Sequence, residues 1–153
     1  DCVHGAGGPV IYELLDRLGC EVVAIGMEPD GLFPRDPEPT AKNLTDLCAL
    51  VKESGAAIGL AIDPDVDRLS LVDELGRPLG EDLTLALASA AVLKRTPGPV
   101  VTNLSTSQVV EDVARALDTA QRGGAAGAAV LHCVSAYPLP QGSVARMSAC
   151  VKA

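Results

Sequence analysis

The chain has 153 residues, 48% hydrophobic and 21% charged, enough to bury a core and too apolar for a disordered segment. A net charge of −8 argues against a nucleic-acid binder, which needs clustered lysine and arginine, and the apolar runs are too short to span a bilayer. Five scattered cysteines (Cys2, Cys20, Cys48, Cys133 and Cys150), none in a C-x-x-C pair, and no visible signal peptide point to reduced thiols in a cytoplasmic protein.

Residues 1–8 look like the loop that follows a strand, and there is no initiating Met, so the chain is expected to begin inside a domain. Over residues 8–18, Val10, Ile11, Leu14, Leu15 and Leu18 recur at helical spacing, with Gly19 as the stop. Residues 21–27 (EVVAIGM) read as a strand, and 28–39 as a loop with four prolines. Residues 41–54 form a second helix, with Leu44, Leu47, Leu50 and Val51 on one face. Residues 58–62 are a continuous apolar strand of the kind buried on both faces of a parallel sheet, and 69–72 are a second short strand. A turn at 74–77 leads to a helix over 82–95, a breaker at 96–99 and a strand over 99–103. Ser105, Thr106 and Ser107 cap a helix carrying Val109, Val110, Val113 and Leu117. A Gly/Ala-rich stretch follows, then an apolar strand over 129–134, able to add beside 99–103, and a weakly patterned end. The alternation predicts an α/β fold with a mixed, mainly parallel sheet and flanking helices.

The informative stretch is AIDPDVDRLSLVDE, residues 61–74. Asp63, Asp65 and Asp67 alternate at the C-terminal end of a strand, where open α/β sheets bind ligands, and Arg68 follows at once. Three adjacent carboxylates repel unless a cation joins them, and carboxylate oxygens suit a hard ion such as Mg²⁺. The arginine is then placed to hold a phosphate oxygen, a pairing that serves phosphoryl transfer. The bland alternative is a solvated acidic turn. An EF-hand loop is rejected, because Arg68 stands where that loop needs glycine and the flanks are strands. Asp63-Pro-Asp-Val66 also fits the nucleophile loop of haloacid-dehalogenase-type phosphatases, without the later paired acidic motif, and stays a minor alternative with Asp63 as nucleophile. Gly5-Ala-Gly-Gly8 lacks dinucleotide or P-loop spacing and reads as a tight strand-to-helix turn.

The stretch GLAIDPDVDRLSLVDE, followed by Gly80-Glu-Asp82, resembles the metal-binding loop of the α-D-phosphohexomutases: the phosphomannomutases, phosphoglucomutases and phosphoglucosamine mutases. The resemblance extends to Asp1…His4-Gly-Ala-Gly7, Phe33-Pro34…Pro37-Glu-Pro39, Asn43-Leu44 and Val101-Thr-Asn-Leu-Ser-Thr-Ser107, roughly residues 1–115. It implies that Asp63, Asp65 and Asp67 hold Mg²⁺, which also contacts a phosphoserine, that catalytic Arg68 lies against the phosphate, and that the substrate is a hexose phosphate. It implies intramolecular phosphotransfer through a phosphoserine on another domain. Residues 1–80 are then similar to the second domain of that family and 81–115 to the start of the third. The family's serine loop and sugar-reading loop are not in the sequence, and Ser105 and Ser107 read as capping residues. The chain alone is therefore expected to bind metal weakly, not to turn over, and to self-associate through exposed core.

Residues 116–153 depart from that pattern. Val130-Leu-His-Cys-Val-Ser-Ala-Tyr-Pro-Leu-Pro140 is similar to a strand and loop of the sialic acid synthase family, which implies substrate-contacting places for Ser135 and Tyr137. The alternatives are a fusion with such a barrel and a catalytically silent α/β domain that binds at most a cation or a partner chain.

Overall fold

The structure is a computed structural model and describes residues 1–122 and 129–131. It contains two compact units, Asp1–Thr84 and Leu85–Ala153.

In the first unit, helix α1 (Gly8–Arg17) opens on Gly8 and Pro9, whose ring suits the first turn. A Cβ at Gly8 would meet the Met27 carbonyl oxygen at 2.0 Å, so only glycine lets the helix start this close to that backbone. Of the apolar positions in the sequence pattern, Val10, Leu14 and Leu18 are exposed. A 3₁₀ turn (Ala41–Asn43) precedes helix α2 (Thr45–Ser54), which splits the single helix expected over 41–54. Gly55, at φ +68°, ends α2 in the left-handed cap that glycine adopts without a Cβ penalty. Leu47 and Val51 of α2 pack with Leu44, Ala61 and Val72 into the core, and Ile25 and Cys48 lean on it. A Cβ at Gly59 would lie 2.7 Å from Val51 Cγ2, so the helix and strand approach more closely than any larger residue allows.

Strands β1 (Ile58–Ile62) and β2 (Leu69–Asp73) pair antiparallel, from Ile58 opposite Asp73 to Ile62 opposite Leu69. Asp1 borders the other edge of β1. The amino group of Asp1 donates to the Leu60 carbonyl at 2.9 Å, and the Ile62 N–H donates to the Asp1 carbonyl at 2.9 Å. The expected strand over residues 21–27 is not formed. Val3 and His4 have φ of 48° and 60°, outside the β region, so the ladder beside this segment stops after Cys2 N–H to Ile25 O and His4 N–H to Gly26 O. After β2, the Asp73 carboxylate accepts the Leu75 and Arg77 N–H groups and pairs with Arg77 Nε at 2.7 Å, closing the turn expected over 74–77.

Helix α3 (Gly80–Arg95) begins two residues earlier than the sequence suggests and leads from the first unit into the second. There β3 (Val101–Asn103) pairs parallel with β4 (Ala129–Leu131), with α4 (Gln108–Arg122) as the crossover. The apolar strand of the tail thus adds beside β3 as expected. Ser107 Oγ accepts the Val109 N–H at 3.4 Å and so caps the helix, whereas Ser105 and Thr106, also expected to cap it, turn their hydroxyls to Asn103 Oδ1, which accepts from Ser105 N–H, Ser105 Oγ and Thr106 Oγ1. The mixed α/β class stands, built among the described residues from one antiparallel and one parallel pair.

Candidate metal centre

The hairpin between β1 and β2 places the acidic residues. Residues 63–68 connect the strands, and Asp63 N–H to Arg68 O at 3.3 Å closes the base of the loop. Val66 turns the chain at φ +67°, a left-handed conformation that is strained for a β-branched residue by about 1–3 kcal/mol. The glycine stretch backs this loop. Ala6 N–H donates to the Pro64 carbonyl at 2.9 Å, and a Cβ at Gly5 would stand 2.5 Å from Pro64 Cα. Gly5 is therefore the small residue that lets two backbones touch.

Asp63 is fully buried. Its Oδ1 accepts the N–H groups of Asp67 and Arg68, each at 3.0 Å, and its Oδ2 accepts Arg68 Nε at 2.9 Å. Burial pushes its carboxyl up, but the Arg68 backbone and guanidinium donors outweigh burial and bring it down to about 2. Oδ1 is saturated, and Oδ2 keeps a lone pair. Asp65 and Asp67 are exposed, and one carboxylate oxygen from each of the three lies within 4.8 Å of the others. Asp67 is pushed up, first by hydrogen bonding to the Asp63 carboxylate and then by the negative charge of Asp65. The strain in this cluster is thus electrostatic, and its donor set of oxygens alone fits a hard divalent cation. A nucleophilic role for Asp63 is disfavoured, because a carboxylate with no exposed surface and three donors on it is not presented to a phosphoryl group.

Arg68 joins two parts of the unit. Its Nε pairs with Asp63 and lies 3.6 Å from Asp67 Oδ1, while its Nη1 donates to Glu38 Oε1 at 3.0 Å. These carboxylates raise the guanidinium's already high pKa, Asp63 more than Glu38. The sequence reading placed Arg68 beside the aspartates and missed Glu38, thirty residues away. Its signal was the pair of prolines that flank it. Ser135 and Tyr137 lie outside the described residues. His4 stands apart from the acidic cluster, with Nδ1 3.0 Å from the Glu28 carbonyl oxygen and 3.5 Å from Asp30 Oδ1. Among the described residues, no helix is long and apolar enough to cross a membrane.

Fold and loop together define a mixed α/β domain with an oxygen-rich acidic loop at the end of a hairpin. Residues 1–76 match the family described as phosphoglucomutase/phosphomannomutase, alpha/beta/alpha domain II. A phosphoglucomutase/phosphomannomutase of Thermococcus kodakarensis is 43% identical over 117 residues, 75% of this chain and 26% of that protein. A phosphomannomutase/phosphoglucomutase of Pseudomonas syringae pv. tomato is 46% identical over 100 residues, 64% of this chain and 22% of that protein. The crystal structure of a phosphoglucomutase/phosphomannomutase family protein from Burkholderia thailandensis superposes with a TM-score of 0.66 at 28% identity, covering 97% of this chain and 31% of its own. Through residues 1–76 the chain belongs to the phosphohexomutase family. It spans about a quarter of the length of the curated relatives it matches. These matches lend no support to the tail's resemblance to sialic acid synthases.

Proposed function

We propose that the chain supplies the cation-binding second domain, and over residues 81–115 the start of the third, of a Mg²⁺-dependent phosphohexomutase of carbohydrate metabolism. Such an enzyme interconverts hexose 1-phosphate and 6-phosphate through a phosphoserine, and that serine is not among these residues. The observation that carries the reading is the convergence of Asp63, Asp65 and Asp67 oxygens within 4.8 Å of one another, in a stretch that matches the family's second domain.

Asp63 Oδ2, Asp65 and Asp67 would hold the ion. Bound Mg²⁺ would supply positive charge beside the phosphoserine phosphate. The chain's own contribution is placement. Asp63 fixes the loop through two backbone donors, and Arg68, exposed at the loop edge, presents a guanidinium to a phosphate oxygen of the hexose phosphate. The setting is the cytoplasm, in keeping with free Cys2, Cys20 and Cys48. On its own the chain is catalytically silent and self-associates through exposed Val10, Leu14 and Leu18.

The test is a chimera in which residues 1–76 replace the matching domain of the Thermococcus relative. Mg²⁺-dependent conversion of mannose or glucose 1-phosphate, abolished by Asp65→Asn, is the expected result. A folded chimera without turnover, or one whose turnover survives both Asp65→Asn and chelator, contradicts the reading.

A further inference from the structure

Arg68 sits where it can compete with a cation. Its Nε holds Asp63 Oδ2, the oxygen with a spare lone pair, and lies 3.6 Å from Asp67 Oδ1. Through Nε the guanidinium is within ion-pair distance of both carboxylates. Glu38 accepts from Nη1 at 3.0 Å and so keeps that second nitrogen from joining them.

The backbone of Glu38 is fixed without help from Arg68. Its N–H donates to Asp36 Oδ1 at 3.2 Å, and its carbonyl accepts Thr40 N–H and Asn43 Nδ2, each at 2.8 Å. Pro37 and buried Pro39 lock φ on either side. The segment is therefore a preformed arm that ends in a carboxylate aimed at the arginine.

We infer that Glu38 is a positioning residue: by holding Nη1 it limits the Arg68 guanidinium to its Nε contacts with Asp63 and Asp67, and so leaves the rest of the Asp63–Asp65–Asp67 cluster open to a divalent cation. The inference rests on the cation reading of those three aspartates. It assigns the Pro-Glu-Pro arm a part in setting cation affinity, through charge balance on Arg68. Removing Glu38 lets the positive charge of Arg68 settle on the aspartates, where it repels an incoming cation and occupies its ligands.

The experiment is Mn²⁺ binding to the full chain, followed by electron paramagnetic resonance at 0.15 M salt, for the parent, Glu38→Gln, Arg68→Gln and the double variant. Glu38 and Arg68 are exposed, and far-ultraviolet circular dichroism checks that each variant is folded. Glu38→Gln is expected to bind about fivefold more weakly, the size of a partly exposed ion pair. Arg68→Gln should bind at least as tightly as the parent, and the double variant should match Arg68→Gln. Unchanged binding by Glu38→Gln overturns the inference. An equal loss with and without Arg68 also overturns it, because Glu38 would then act on the cation directly. A parent chain that binds no Mn²⁺ removes the cation reading itself, and this inference with it.

Discussion

Replacing Asp63 with asparagine should cost stability rather than only cation affinity. The carboxylate is buried and accepts three donors. Asparagine can keep its carbonyl oxygen on the Asp67 and Arg68 N–H groups. Its amide NH₂ then faces Arg68 Nε, donor against donor, and a charge-assisted bond worth about 1.5–3 kcal/mol is lost. Proton linkage gives a second route to the magnitude. A carboxyl lowered from 3.8 to about 2 contributes about 2 kcal/mol at roughly 1.4 kcal/mol per pH unit. Because the folded-state value is depressed, this stability is fully present above the unfolded pKa near 4 and disappears as pH falls through about 2. Urea unfolding of the parent and Asp63→Asn chains, without metal, should show a gap of about 2 kcal/mol at pH 7 that closes as pH approaches 2. A gap below about 0.5 kcal/mol at pH 7, within the range of ordinary surface substitutions, would refute the reasoning. So would a gap that does not change with pH.

Val66→Gly should stabilise the chain by about 1 kcal/mol, because relief of left-handed strain at φ +67° exceeds the added backbone entropy; an unchanged urea midpoint would contradict this. Gly5→Ala should cost about 1–3 kcal/mol, because the new methyl meets Pro64 Cα at 2.5 Å and neither backbone can yield; a parent-like midpoint would show that the loop is free to move. Ser70→Ala should stabilise the chain by about 1 kcal/mol, because Ser70 Oγ in β2 is buried without a hydrogen-bond partner among the described residues; a loss of stability in the same melt would reveal a partner for the hydroxyl.

The acidic loop was legible in the sequence because its signal is local. Three aspartates two residues apart after an apolar strand fix both the chemistry and its place, and the hairpin needs only residues 58–73. The helices were legible for the same reason, with Gly19 and Gly55 marking their ends by left-handed φ. What failed depended on partners. The residues over 21–27 have strand composition, but a strand exists only where a neighbour can complete its ladder, and Val3 and His4 turn away. The apolar run of β1 suggested a parallel sheet, yet burial alone does not set strand direction, and the short connection to β2 makes the pair antiparallel. Helical spacing also overstated burial in α1, where Val10, Leu14 and Leu18 remain uncovered. Glu38 was invisible as a site residue because its link to Arg68 arises only when the proline-rich loop folds back on the hairpin.

The most direct test of the account is titration of the full chain with Mn²⁺, with Mg²⁺ as competitor and Asp65→Asn as the control. Asp65 is exposed, so its replacement leaves the fold in place. The account predicts one weak Mn²⁺ site that Mg²⁺ displaces and that Asp65→Asn removes. No binding by the parent, or equal binding by parent and variant, would show that the three carboxylates form a solvated acidic turn and not a metal centre.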